Sequence, residues 1–154
     1  MNMKPEIREK AMQWCSRKEC CCKEMFDKAA SWGCTPAEAR ELVDLLIEQK
    51  FVDERRYTEA FVKDKIRFNK WGRVKIVYML RLQNIDIELI NEVLSKIDQT
   101  EYQQVLTDEL QKKFKTIPQG NSFEITGKLF RFATGKGFEP EMIKEEIFKM
   151  MKKK

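Results

Sequence analysis

A four-residue pattern that occurs three times constrains this chain more than any other feature. It reads Gly33-Cys34-Thr35-Pro36, then Asn84-Ile85-Asp86-Ile87, then Gly137-Phe138-Glu139-Pro140. From Gly33 to Asn84 is 51 residues, and from Asn84 to Gly137 is 53. Each copy begins with a residue that tolerates left-handed backbone. An apolar residue, an N-cap candidate and a first helical position, twice Pro, follow. The pattern is a helix stop feeding directly into a helix start. One such junction marks only a helix–helix turn. Three at near-constant spacing mark tandem helical repeats, which tend to be elongated and to offer one extended binding face. The 154 residues include only six Gly and four Pro. That is too few for a sandwich or barrel, which needs turn residues every ~8–12 positions. The expectation is an all-α fold of three tandem three-helix repeats, with boundaries at 1–52, 53–98 and 99–154.

Apolar spacing places the nine helices. The first runs from about Pro5 to Arg17 on Ile7, Ala11, Trp14 and Cys15, and the second from about Cys21 to Trp32 on Met25, Ala29 and Trp32. Thr35-Pro36-Ala37-Glu38 reads as a capping box that launches a third, burying Ala39, Leu42, Val43 and Leu46. Glu54–Asn69 should face Tyr57, Ala60, Phe61 and Phe68 inward, and Arg73–Gln83 should do so with Ile76, Val77 and Leu80. Asp86 starts the sixth helix, with Ile87, Ile90, Val93, Leu94 and Ile97 apolar. Glu101–Lys115 follows on Tyr102, Val105, Leu106, Leu110 and Phe114. Ser122 is expected to cap the eighth (Ile125, Leu129, Phe132). The ninth follows Pro140 with Ile143, Ile147, Met150 and Met151 inward and ends in Lys152-Lys153-Lys154. Glu145-Glu146 reads as a solvated face.

Charge is unevenly spread. Between Lys63 and Leu82 lie Lys63, Lys65, Arg67, Lys70, Arg73, Lys75 and Arg81 against one acid, Asp64, a local +6 in a chain of net +5. Acids are nearly absent from this run, so the sequence gives no local counter-charge. Such a patch is the footprint of a polyanion or an acidic partner. Trp71, at the turn inside it, is read either as an exposed stacking or anchoring aromatic or as part of a repeat interface.

Several chemistries find no support. Five cysteines (Cys15, Cys20, Cys21, Cys22, Cys34) crowd the first quarter, an odd number that closes no disulfide framework. The chain has no His for a zinc site or a general base. These thiols are expected to be reduced and structural. No Gly-rich phosphate loop or nucleophile motif is present, so no enzyme activity, cofactor or metal is expected. The first fifteen residues lack a continuous apolar core, and no stretch approaches the ~18 apolar residues of a membrane span. A cytoplasmic protein without a membrane partner is the reading.

The residues also resemble a known family. Phe51-Val52-Asp53-Glu54-Arg55-Arg56-Tyr57-Thr58-Glu59-Ala60-Phe61-Val62 looks like the most specific motif of the RecX family, bacterial regulators of the RecA recombinase. Trp71-Gly72-Arg73-Val74-Lys75-Ile76 and Leu80-Arg81 resemble the motif that follows. Cys21–Lys28 resembles an upstream one, in which Glu24, Met25 and Lys28 fit and Cys21 replaces the usual Ser cap. Glu54 stands where a second Asp is common and Thr58 where Ala is common, and the third repeat matches loosely. The resemblance implies a curved arrangement of three-helix units. It also implies a non-enzymatic protein that lies in the groove of the RecA–DNA filament, touches more than one protomer and suppresses ATPase, strand exchange and coprotease activities. Its setting would be DNA recombination, repair and the SOS response.

On this basis Glu24, Lys28, Asp53, Arg56, Tyr57, Gly72 and Ile76 are expected to be mainly structural. Asp53 should cap a helix, and Arg56 should pair with an acid across a repeat boundary. Lys63, Lys65, Arg67, Lys70, Trp71, Arg73, Lys75 and Arg81 are the candidate contacts to RecA or DNA. The protein is expected to act as a monomer. The competing readings are a sequence-independent nucleic-acid binder, a thiol or metal protein using Cys20–Cys22, and a helix-turn-helix regulator. The last would normally be dimeric, and no dimer signal is present.

Overall fold

The structure, a computed structural model, describes residues 4–152. Met1–Met3 and the last two lysines of the expected basic end lie outside the described residues. Among the described residues there is no strand. The helices are α1 Pro5–Arg17, α2 Cys22–Ser31, α3 Pro36–Glu48, α4 Glu54–Asp64, α5 Arg73–Leu82, α6 Ile87–Ser95, α7 Gln99–Thr116, α8 Ser122–Gly135 and α9 Pro140–Lys152. A π-helical turn, Lys65–Asn69, continues α4. The fold is all-α, as the sparse Gly and Pro require.

All three junctions have the same backbone geometry. Gly33 (φ 92°), Asn84 (φ 60°) and Gly137 (φ 94°) are left-handed. Cys34, Ile85 and Phe138 each donate a backbone N–H to the carbonyl five residues back: Ala29 at 3.1 Å, Leu80 at 3.1 Å and Ala133 at 3.2 Å. Gly33, Asn84 and Gly137 donate to Ala30, Arg81 and Thr134. This is the paired bonding of a Schellman stop, which satisfies carbonyls the helix end would otherwise orphan. Thr35 and Glu38 close the expected capping box at 3.2 and 2.8 Å.

The chain forms two compact units. The first comprises the chain through Phe61 together with Leu80–Ile90. Its core holds Ala11, Cys15, Cys20, Met25, Ala29, Ala39, Leu42, Val43, Leu46 and Val52, with Trp14, Phe26, Trp32 and Phe51 packed against it. The second comprises Val62–Met79 and the chain from Asn91 onward. It buries Val62, Ile66, Ile76, Val93, Leu94, Tyr102, Leu106, Leu110, Leu129, Ala133, Phe138, Ile143 and Ile147. The middle triplet, α4 to α6, contributes residues to both units.

Four local expectations are corrected. Phe68 is 78% exposed, not inward. The buried stripe of α4 runs through Tyr57, Thr58, Val62 and Ile66, already off the Phe61 line before the π turn, and the extra residue in that turn rotates Phe68 out. Ile87 is exposed while Ile85 is fully buried, because the extended step of the junction turns Ile85 inward. Asn121, not Ser122, caps α8, its Oδ1 accepting from Glu124 N–H at 2.8 Å. Glu146 is buried rather than solvated: Gln103 Nε2 and Thr107 Oγ1 donate to its carboxylate at 2.8 and 3.0 Å.

Candidate polyanion and partner interface

The basic run divides between the two units. Lys63, Lys65, Arg67, Lys70, Trp71, Arg73 and Lys75 belong to the second, and Arg81 to the first. Arg81 there donates Nη1 to the Ile85 carbonyl at 3.0 Å, tying α5 to the junction that ends it.

In the second unit the run is shaped by the π turn and the sharp bend after it. Lys70 is left-handed (φ 59°), and Trp71 N–H bonds back to the Lys65 carbonyl at 3.0 Å. Gly72 then comes against the third junction. Its N–H donates to the Lys136 carbonyl at 2.8 Å, and Val74 N–H donates to the Gly137 carbonyl at 2.9 Å. A Cβ on Gly72 would lie 2.3 Å from the Gly137 carbonyl oxygen, so only glycine fits here. Lys136 Nζ reaches the Asn69 carbonyl at 2.9 Å, satisfying one acceptor at the helix end, and Glu109 at 3.4 Å.

The bend brings two ammonium groups close to the Trp71 ring. Lys65 Nζ lies 4.9 Å and Lys75 Nζ 4.5 Å from the indole ring centroid. Both distances suit cation–π attraction, which orients the ring and both side chains. Lys63 is exposed and Lys70 half-buried beside them. Among the described residues, no carboxylate pairs with Lys63, Lys70 or Lys75.

The two arginines differ from the lysines. Arg67 Nε donates to Glu101 at 3.0 Å, a half-exposed pair of the kind worth ~0–1 kcal/mol. Arg73 is held by Glu139 at 2.7 Å and Gln99 at 2.5 Å, with its guanidinium 4.1 Å from the Tyr102 ring centroid. Tyr102 accepts from Arg73 N–H at 2.8 Å and donates to Glu139 at 2.5 Å. Burial first, and then that bond to Glu139, pushes the Tyr102 phenol above its ordinary value. Glu101 and Glu139, remote in sequence, therefore counter two of the cations.

Cys15, Cys20 and Cys21 are buried, Cys22 and Cys34 are half-buried, and all five thiols are free. Cys20 Sγ donates to Cys15 Sγ at 2.7 Å, which holds Cys15 below and Cys20 above the ordinary thiol value. Burial pushes Cys21 up to about 12 and Cys22 to about 11, so at neutral pH these two are protonated and poorly nucleophilic.

Two family models match this chain: "RecX, second three-helix domain" over residues 53–94 and "RecX, third three-helix domain" over 100–147, together more than half of its length. The chain belongs to the RecX family. It is 31% identical over 131 residues to the regulatory protein RecX of Clostridium beijerinckii, covering 84% of this chain and 61% of that protein. It is 29% identical over the same length to RecX of Clostridium tetani, covering 84% and 60%. The chain thus spans about three fifths of these RecX relatives' length. The crystal structure of RecX from Lactobacillus salivarius superposes with a TM-score of 0.82 at 18% identity, covering 94% of each chain. Another RecX crystal structure gives 0.80 at 17% identity, covering 96% of this chain and 74% of that one. These two likenesses establish the fold.

Glu24 accepts from Cys21 N–H at 3.3 Å, so Cys21 serves at the cap of α2. Lys28 Nζ lies 5.7 Å from the Trp14 ring centroid. Asp53 Oδ1 accepts from Arg56 N–H at 3.0 Å. Arg56 bonds Glu19 at 3.0 Å and the Lys50 carbonyl at 2.9 Å. Tyr57 and Ile76 are buried. Nothing in the sequence announced Glu101, Tyr102, Glu139 or Lys136 as partners of the basic run. Glu139 stood out only as a cap candidate, and its carboxylate is used for Arg73 and Tyr102 instead.

Proposed function

We propose that this chain is a regulatory, non-enzymatic protein that binds the RecA–DNA filament and inhibits RecA's ATPase, strand-exchange and coprotease activities in DNA recombination and repair. Family membership supports the regulatory role. The observation that carries the contact is the Lys65–Trp71–Lys75 arrangement, flanked by Lys63 and Lys70. Ammonium groups around an aromatic face suit a phosphate backbone whose bases can stack. Arg67 extends this face, since a half-exposed pair with Glu101 exchanges readily for a phosphate. Arg73 is assigned a structural share, holding α5 against Glu139 and Tyr102. Contact with more than one RecA protomer would exclude the duplex partner and hinder the subunit movements that accompany ATP hydrolysis. Several weak contacts acting together would make binding avid. The three helical sets are assigned to 1–52, 53–98 and 99–154, and the protein works as a cytoplasmic monomer without a cofactor.

The test is titration into a single-stranded-DNA-dependent RecA ATPase assay on preformed filaments. Inhibition at or below stoichiometry is expected, and no inhibition at stoichiometry would sink the reading. The same aromatic–ammonium geometry also suits a second reading, a sequence-independent nucleic-acid binder without a recombinase partner. That protein would bind oligo-dT with a steep salt dependence and leave preformed filaments active.

A further inference from the structure

The hairpin of α8 and α9 leaves a groove that its own side chains do not fill. Only residues 136–139 join the two helices, so they run antiparallel and the first turn of α8 lies beside the last turns of α9. Phe123 and Phe148 are 87% and 67% exposed. They line a single groove of about 750 Å³ together with Gly127 and Phe130 of α8 and Ile147 and Met151 of α9. Isolated exposed aromatics are ordinary, but two lining one apolar concavity are the mark of a binding site. Gly127 adds an independent sign. It sits inside a helix, where glycine is unfavourable, and a Cβ there would meet only the tip of the Arg131 side chain, at 3.3 Å. Close packing does not demand this glycine; its missing side chain leaves the groove open.

The charges around the groove specify the occupant. Lys128, Arg131 and Lys144 border it, and Lys152 Nζ lies 5.9 Å from the Phe148 ring centroid. Among the described residues Glu124 is the one acid in the lining, and Asn121 Nδ2 already donates to it at 3.2 Å. We propose that the α8–α9 groove docks an acidic amphipathic helix of a protein partner. Two apolar side chains about one turn apart seat between Phe123 and Phe148, and flanking carboxylates meet Lys128, Arg131 and Lys144. A second copy of this chain fits poorly, because a two-fold pairing would set the cationic rim against itself. A nucleic acid would satisfy the rim but has no aliphatic knobs for a floor of Phe130, Ile147 and Met151. None of these residues belongs to the Lys63–Arg81 run, so the inference stands apart from the reading of that face.

The experiment uses the full chain and three fluorescent probes: a synthetic sixteen-residue helix with Leu and Phe at i, i+4 and i+7 and flanking Glu, the same helix with Lys for Glu, and oligo-dT. Anisotropy should show the acidic helix binding at least tenfold more tightly than its charge-reversed twin. Phe123→Ala with Phe148→Ala, both at exposed positions, should weaken it at least tenfold with an unchanged thermal melt. Gly127→Leu, which fills the groove from within, should have the same effect on binding. Equal affinity for the two helices, or no binding of either, would overturn the proposal. So would oligo-dT binding lost in the double alanine variant, which makes the occupant a nucleic acid. Self-association lost in that variant would make it a second copy, with the same consequence.

Discussion

Gly72→Ala offers a sharp test of how the second unit is held together. The added Cβ would sit 2.3 Å from the Gly137 carbonyl oxygen and 2.4 Å from Gly137 C and Phe138 N, all backbone atoms with no rotamer to escape into. Either the 71–74 bend or the 136–138 junction must move. Forcing extra volume into a packed site costs about 1–3 kcal/mol. Separating the segments also strains the Gly72–Lys136 and Val74–Gly137 hydrogen bonds, each worth ~0.5–1.5 kcal/mol. The total is about 2–6 kcal/mol. With a urea slope of ~2 kcal/mol/M for a protein of this size, the midpoint should fall by roughly 1–3 M. Gly33→Ala is the matched control. Its φ is 92°, but nothing lies within 4 Å of its would-be Cβ, so only the left-handed backbone cost of ~1–2 kcal/mol applies. If Gly72→Ala costs no more than Gly33→Ala in urea melts followed by circular dichroism, the close approach does not govern the stability of this unit.

Further outcomes follow from the same geometry. Replacing Lys63, Lys70 and Lys75 together by Ala should lower the slope of log affinity against log salt for single-stranded DNA by about 2, and an unchanged slope would remove these lysines from the phosphate contact. Glu146 lies below its ordinary carboxylate value, because burial, which pushes it up, is outweighed by hydrogen bonds from Gln103 and Thr107 and by the Lys149 ammonium. Its contribution is thus present above the unfolded value near pH ~4.3 and lost as pH falls through the folded value. Glu146→Gln should destabilise by on the order of 1 kcal/mol at pH 7, and the gap to the parent should narrow in urea melts at pH 3. Gly127→Ala should raise stability by about 0.5–1 kcal/mol, since it removes an unfavourable residue from a helix interior and displaces only the Arg131 tip; a lower melting temperature would contradict this.

The parts of this structure legible in sequence are those decided by neighbouring residues. The three junctions were readable because a left-handed stop and the cap after it obey rules spanning about four positions, and the bonds at Gly33, Asn84 and Gly137 follow them. The stripe Ala39, Leu42, Val43 and Leu46 was readable from helical spacing alone. Phe68 was misplaced because spacing assumes a constant helical repeat, which the Lys65–Asn69 turn interrupts. The basic run looked uncompensated because only its own acids were in view. The carboxylates that meet Arg67 and Arg73 arrive from 34 and 66 residues away. Glu146 looked solvated for a related reason: its partners Gln103 and Thr107 sit on a different helix, 43 and 39 positions earlier. Likewise the groove lined by Phe123 and Phe148 has no sequence signal, since it exists only once α8 and α9 lie side by side.

The way residues 136–138 complete the bend at 71–74 limits how far these repeats act as interchangeable modules. A chain cut after Asp98 would keep every residue of the middle triplet. Yet it would leave the amides of Gly72 and Val74 without their carbonyl acceptors, Arg73 without Glu139, and the Asn69 carbonyl without Lys136. Autonomy therefore begins only with the segment that follows, and shuffling or deleting triplets at their sequence borders would sever bonds that the borders do not reveal.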